Sequence, residues 1–194
     1  MGVASPLPRF VLATLAWLPL AFAAWYFAAP VLLWPVKLLV QGVAAVALGD
    51  IVRTVEQAGS VVTFVTTLRP GDPALARGAI TVDVNLLLYS FGLPMFAALT
   101  LAAREARWPR RLAIGYAALL PVSAFGVLAD CLKNIALGAG PLVASQAGFS
   151  PWQRETIAFA YQFGALILPT VAPAAAWVLL HRAFLERMRG APRA

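Results

Sequence analysis

The sequence has few of the residues that enzymes use most often in catalysis: its 194 residues include one cysteine, Cys131, and one histidine, His181. A single cysteine excludes a disulfide within the chain and a cysteine-based metal site. A cysteine nucleophile also needs a base within hydrogen-bond reach. These two residues are predicted at opposite ends of antiparallel helices, about 30 Å apart. We therefore interpret Cys131 as a small packing residue.

Common catalytic motifs are missing as well. The sequence contains no HExxH, no P-loop, no GxSxG and no pair of acids on one predicted helix. These absences favour a protein that is not an enzyme, and we expect neither a metal nor a cofactor.

Charged residues are also scarce, at 12% of the chain against 61% hydrophobic residues. A soluble domain carries roughly twice that charged fraction. Four apolar runs, at 10–29, 85–103, 112–135 and 156–180, are long enough to cross about 30 Å of hydrocarbon. The first is longer than the apolar core of a secretory signal, so we interpret it as an uncleaved span. The sequence predicts an all-α integral membrane protein with about four transmembrane helices in a single membrane domain, 1–194.

A fifth apolar run, 31–49, is interrupted by Pro35, Lys37 and Gln41. We predict an interfacial helix here on the outer side, separated from the first span because Pro30 and Pro35 break helical hydrogen bonding. A fifth span is the alternative.

Residues 59–84 have an extended pattern. The segments SVVTFVTTL and AITVDV are rich in β-branched residues, and the segment between them, RPGDPALARG, is rich in turn formers. This pattern predicts a small β-hairpin on the outer side. Because a two-stranded hairpin is marginal by itself in water, it either packs on its own helices or offers an edge strand to a partner.

The segment FSPWQRET is typical of a helix start. Ser150 can cap the helix, Pro151 suits its first position, and Gln153 suits a capping box. Further along the same run, Pro169 and Pro173 predict a kink or a loosened turn, which neighbouring helices can accommodate in a membrane.

The distribution of charge predicts the orientation of the spans. With four spans, the N-terminus, the 104–111 loop and the C-terminal tail share one side, which carries nine Lys and Arg against two acids. The other side carries six of each. Because Lys and Arg mark the cytoplasmic side, the C-terminus is predicted in the cytoplasm. The net charge of +7 is thereby explained without nucleic-acid binding.

Polar residues gather at the end of the third predicted span, in the stretch LADCLKNI. On a helix, Asp130, Lys133 and Asn134 share one face. Ionisable groups at a membrane boundary indicate a functional site, although an Asp–Lys pair can also simply hold helices together. Residues predicted at similar depth complete an outer polar cluster that is a candidate site for a partner or ligand: Asn85, Tyr89, Asp130, Lys133, Asn134, Arg154, Glu155, Tyr161 and Gln162.

Four segments of the chain resemble the exosortase H-associated membrane proteins. These are WLPLAFAAWYFAAP, DVNLLLYSFGLPMFAALTLA, LLPVSAFGVLADCLKNIAL and GFSPWQRETIAFAYQFGALILPTVAPAAAW, which together make up 83 of the 194 residues. The resemblance implies an accessory protein of a surface-protein sorting system in the bacterial inner membrane. In such systems an exosortase, a multispanning cysteine enzyme, cuts a C-terminal sorting signal on the outer side.

The resemblance implies as partners an exosortase or its tailed substrates, together with membrane lipid. The outer polar cluster would make these contacts. Two alternatives stay open: an enzyme or carrier that acts on a lipid-linked substrate through the outer polar cluster, and a structural subunit of a membrane complex.

Overall fold

The computed structural model describes residues 6–70 and 78–190, which form nine α-helices and one three-stranded sheet. In chain order the elements are α1 (Pro6–Leu32), α2 (Trp34–Ala47), β1 (Val52–Ala58), β2 (Val61–Thr66), β3 (Thr81–Asn85), α3 (Leu87–Ser90), α4 (Gly92–Ala102), α5 (Trp108–Lys133), α6 (Pro141–Gln146), α7 (Pro151–Gln162), α8 (Leu168–Leu180) and α9 (Arg182–Gly190). Two π-helical segments extend this order: Asn134–Gly138 continues α5, and Phe163–Ile167 joins α7 to α8.

Three helical runs are long and apolar enough to cross a membrane. They are Leu7–Leu32 with 26 residues, Trp108–Gly138 with 31 and Pro151–Leu180 with 30. At a rise of about 1.5 Å per residue, each is longer than the hydrocarbon layer. Long apolar helices were predicted at these three places, and they are confirmed. The helix predicted within 31–49 is present as α2.

The fourth predicted span, 85–103, is shorter than expected. Asn85 ends strand β3, and the apolar helix covers only Leu87–Ala102, about 24 Å along its axis. The Asn85 Oδ1 accepts a hydrogen bond from the backbone N–H of Leu87 at 3.0 Å, so this polar residue marks the change from strand to helix.

The extended region is a three-stranded antiparallel sheet in the order β1-β2-β3, one strand more than the predicted hairpin. The predicted pairing of β2 with β3 is confirmed, with Val62 opposite Val84 and Phe64 opposite Val82. Strand β1 was missed because the register shifts between Val52 and Thr54, which interrupts the alternation of buried and exposed residues. Most of the predicted turn lies outside the described residues.

The sheet packs on helices of its own chain. β1 lies against α2 and β3 against α5. Val62, Phe64 and Val84 are almost fully buried, as are Val36 and Val40 of α2. The sequence left open whether this region packs on its own helices or offers an edge strand to a partner. In the structure it packs on its own helices.

Segments that are distant in sequence meet at one end of the bundle. There Phe10 of α1 stacks on Trp177 of α8, with 5.5 Å between ring centroids, and also packs against Phe184 of α9. The loop between α4 and α5 lies at the same end. We call this end of the bundle the arginine end and define it by Arg104, Arg107, Arg111 and Arg187. The three segments that charge counting assigned to one membrane side are thus together in the fold.

The opposite end carries the sheet and α6, and we call it the sheet end. The side-chain amide of Gln146 in α6 bonds to both the backbone N–H and the carbonyl of Arg69, each at 3.0 Å. Helix α5 connects the two ends and contacts α2, α4, α7 and α8 as well as the sheet.

Candidate functional site

The end of α5 and the π-helical segment after it place two polar side chains, Lys133 and Asn134, beside the Asp130 carboxylate, on the shared face that the sequence predicted. Asp130 Oδ1 lies 3.1 Å from the Lys133 ammonium and accepts a hydrogen bond from Asn134 Nδ2, also at 3.1 Å. Asp130 is only 9% exposed, so this carboxylate is almost fully shielded from solvent. A carboxylate in such a place needs a charged or hydrogen-bonded partner, and it has both.

Two tyrosines from other helices complete this group. Tyr89, a buried residue of α3, lies beside Asp130. The Lys133 ammonium lies over the ring of Tyr161 in α7, 4.3 Å from its centroid, which is a cation–π contact. We call Tyr89, Asp130, Lys133, Asn134 and Tyr161 the Asp130 cluster; it joins α3, α5 and α7.

The absence of a side chain at two glycines lets these helices approach closely. A Cβ atom at Gly126 would clash with the Tyr89 ring and would lie 3.1 Å from the backbone oxygen of Gly164. The two π-helical segments begin at Asn134 and directly after Gln162. Single π-helical turns are frequent at functional sites, and both of these adjoin predicted site residues.

The other four predicted residues lie apart from the Asp130 cluster. Asn85 caps α3. Arg154 is half-buried, and its Nε has no hydrogen-bond partner within the described part of the chain. Glu155 and Gln162 are exposed on the outward side of α7. The predicted cluster is therefore divided: the Asp130 cluster lies between helices, Glu155 and Gln162 face outward, and Asn85 and Arg154 belong to neither group.

The outward side of α7 combines aromatic and polar residues. Trp152, Glu155, Phe159 and Gln162 follow at helical spacing, and we call them the α7 face. Trp152 is 74% exposed and Phe159 is 68% exposed. The predicted capping box at the start of α7 is confirmed, because Ser150 and Gln153 bond reciprocally through side chain and backbone. This cap fixes where the α7 face begins.

Cys131 is a free and fully buried cysteine at the end of α5. His181 lies at the arginine end, beside Glu105. The two residues thus lie far apart, as the sequence predicted. Within residues 6–70 and 78–190, no group of three His, Cys, Asp or Glu side chains is placed to hold a metal ion.

A second polar group, at the arginine end, was not predicted as a site. Glu105 forms ion pairs with Arg111 and with Arg187, whose Nη2 lies 2.6 Å from Glu105 Oε1. His181 is fully buried, with Nδ1 3.1 Å from the Trp177 carbonyl and Nε2 3.9 Å from Glu105 Oε2. The sequence signal for this group was Glu105, a single acid among several arginines. In the sequence these residues were used only to predict the orientation of the spans.

Lowering the pH below about 6.5 is expected to destabilise this group. Burial lowers the pKa of His181; the hydrogen bond to the Trp177 carbonyl opposes this shift, and the charge of Arg111 adds to it. The unfolded chain therefore binds a proton more readily than the folded chain does. Stability from neutral His181 is complete above about pH 6.5 and is lost as the pH falls through the lowered pKa. The thermal midpoint in detergent should fall by a few degrees between about pH 7.5 and 5.5.

The control for this prediction is His181→Gln. Glutamine can still donate a hydrogen bond to the Trp177 carbonyl, but it does not titrate, so its midpoint should change less over the same range. An equal pH dependence in both proteins would show that another group is responsible.

Comparison with known proteins identifies one family. The family model described as exosortase H-associated membrane protein matches residues 4–184. Neither the curated proteins nor the solved structures include a significant match to the chain.

Proposed function

The chain belongs to the exosortase H-associated membrane protein family, and from this we propose that it is a non-catalytic accessory subunit that contacts the exosortase through the α7 face. This contact would hold the enzyme, or present a substrate tail to it, on the outer side of the bacterial inner membrane. Two findings support this proposal. One is the family, and the other is that the outward-facing residues of the predicted polar cluster, Glu155 and Gln162, lie on a long apolar helical run.

The proposed topology has four crossings with the arginine end in the cytoplasm. The short run Leu87–Ala102 would be the second crossing, because it leads from the sheet end to the loop that carries Arg104 and Arg107. An apolar run shorter than the hydrocarbon layer can be accommodated by local thinning of the bilayer. The excess of arginine at one end agrees with the rule that cytoplasmic loops are positive.

The observation that carries the proposed contact is the exposed Gln162. It is the last of the 12 residues of α7, about 17 Å along the helix from Pro151, inside a run long enough to span. Its side chain has no hydrogen-bond partner among the residues described here. A primary amide facing lipid is unfavourable, and glutamine commonly bonds across transmembrane helices. A helix of the exosortase would satisfy it.

The Asp130 cluster supports this face from behind. Lys133 contacts Tyr161, the residue before Gln162, and thereby links α7 to α5. Because Tyr161 and Gln162 are about 100° apart on the helix, holding one against the bundle turns the other outward. In this proposal the cluster is a support for the contact surface.

A photocrosslinking amino acid at position 162 tests the contact in membranes that also contain the exosortase. We expect a crosslinked product with the exosortase at this position. The matched control is position 20, because Leu20 is 60% exposed on α1 and lies away from α7. Equal products at both positions, or products at position 20 alone, would contradict the proposed face.

A further inference from the structure

A basic cavity lies at the arginine end, away from the proposed contact surface. Its volume is about 470 Å³, and its charged lining consists of Arg104, Arg107, Arg111, Arg187 and Glu105. Glu105 pairs with two of the arginines. Arg104 and Arg107 form no ion pair with any residue in 6–70 or 78–190. The cavity therefore has a net charge of +3 and two arginines available to an anion.

The backbone of Arg104 is unusual. Its φ angle is +48°, and it is the only described residue other than glycine with a positive φ. This conformation just beyond a helix end normally favours glycine. A strained backbone that places an unpaired charged side chain at the rim of a cavity suggests a binding role.

Two largely apolar cavities adjoin the basic cavity along the chain's helices. A second cavity of about 640 Å³ shares Arg104 and Glu105 with it and is also lined by Trp17 and Leu101. A third, of about 660 Å³, shares Leu101, Trp108 and Leu112 with the second. We treat these adjoining cavities as one groove, with arginines of the α4–α5 loop, α5 and α9 at one end and apolar side chains of α1, α4 and α5 beyond them.

The far limit of the groove is at Tyr116, whose hydroxyl donates to the Leu32 carbonyl at 2.6 Å. From Trp108 to Tyr116 the groove follows α5 for about 12 Å. The charged part lies at the end of this span and the apolar part lies within it. This arrangement matches a lipid in one leaflet, with its headgroup at the membrane surface and an acyl chain alongside the helices.

We propose that this groove binds an anionic phospholipid, with the phosphate held by Arg104 and Arg107 and an acyl chain between α1, α4 and α5. Guanidinium groups pair well with phosphate, and basic pockets between helices on the cytoplasmic side bind acidic headgroups. The positive-inside rule explains arginines at this end, but it does not require two unpaired arginines at the mouth of an apolar groove.

The test is native mass spectrometry of the full chain, purified in detergent with an equal mixture of phosphatidylglycerol and phosphatidylcholine. We expect phosphatidylglycerol to be retained about tenfold more than phosphatidylcholine. The variant Arg104→Gly/Arg107→Gln should lose this preference, and glycine at 104 also relieves the backbone strain. The matched control Arg110→Gln/Arg182→Gln removes the same charge from exposed arginines outside the cavity and should keep the preference within about twofold.

The acyl part is tested with Ala113→Phe, which fills the groove, and with Ala118→Phe, an exposed position on the same helix outside it. Only the first should reduce retention of phosphatidylglycerol. Millimolar inorganic phosphate should leave retention unchanged. If both arginine double variants lost the preference for phosphatidylglycerol equally, the preference would come from general surface charge, and the proposal would be overturned. Displacement by phosphate would mean a site for free phosphate and would also overturn it.

Discussion

Replacing Asp130 by leucine is expected to reduce the free energy of unfolding in detergent by about 3 kcal/mol. The Asp130 carboxylate interacts with the Lys133 ammonium and the Asn134 amide, and Tyr89 of α3 lies beside it. Leucine has a similar volume, so the main loss is electrostatic. Lys133, whose side chain is only 27% exposed, would keep the Tyr161 ring as its remaining contact.

The measurement is the unfolding transition in mixed micelles, together with the amount of protein that accumulates in membranes. Asp83→Leu is the matched control, because Asp83 is an exposed carboxylate that accepts a hydrogen bond from Thr63 at 2.6 Å. Its effect should stay within about 0.5 kcal/mol. The double variant Asp130→Leu/Lys133→Leu should recover part of the loss, since it leaves no unpaired charge.

The same variant separates the two interpretations of the Asp130 cluster. If the cluster holds helices together, Asp130→Leu lowers stability and protein level. If it binds a partner or a lipid-linked substrate directly, the level stays normal while association or activity is lost. A normal unfolding transition in Asp130→Leu would contradict the support that we propose for this cluster.

Local patterns in the sequence predicted the parts of the fold that depend on neighbouring residues. The capping box at Ser150 and Gln153 and the shared face of Asp130, Lys133 and Asn134 are of this kind, because each needs only helical spacing. The three long apolar runs were found for the same reason. Strand β1 was not found, because its register shift disturbs the very pattern that indicates a strand.

Position along a helix follows directly from the sequence, but direction around the helix does not. Tyr161 and Gln162 were expected in one cluster since they lie at the same depth. In the fold, Tyr161 faces Lys133 and Gln162 faces outward. The direction depends on which helices α7 packs against, and that is a property of the whole bundle. The pairing of Glu105 with Arg187, 82 residues apart, depends on the bundle in the same way.

Gly92→Ala should cost about 2–3 kcal/mol of unfolding free energy, because α4 meets a free carbonyl of α8 at this position. Pro173 has no N–H, so the carbonyl of Pro169, four residues earlier, has no partner within its own helix. That carbonyl points at Gly92. A Cβ atom added there would lie 2.6 Å from the oxygen and 2.8 Å from the Pro173 ring. Backbone and a proline ring cannot rotate away, so the helices must separate.

Gly42→Ala is the control for this prediction, because the opposite effect is expected there. Gly42 lies inside α2, is exposed and has no atom within 4 Å of an added Cβ, so alanine there should stabilise the chain by about 0.5–1 kcal/mol. Thermal unfolding of both variants in the same detergent would show midpoints on opposite sides of the wild type. If Gly92→Ala unfolded like the wild type, the packing of α4 on Pro169 and Pro173 would be looser than described. The contact with α4 would then not be what surrounds the freed carbonyl of Pro169 with protein.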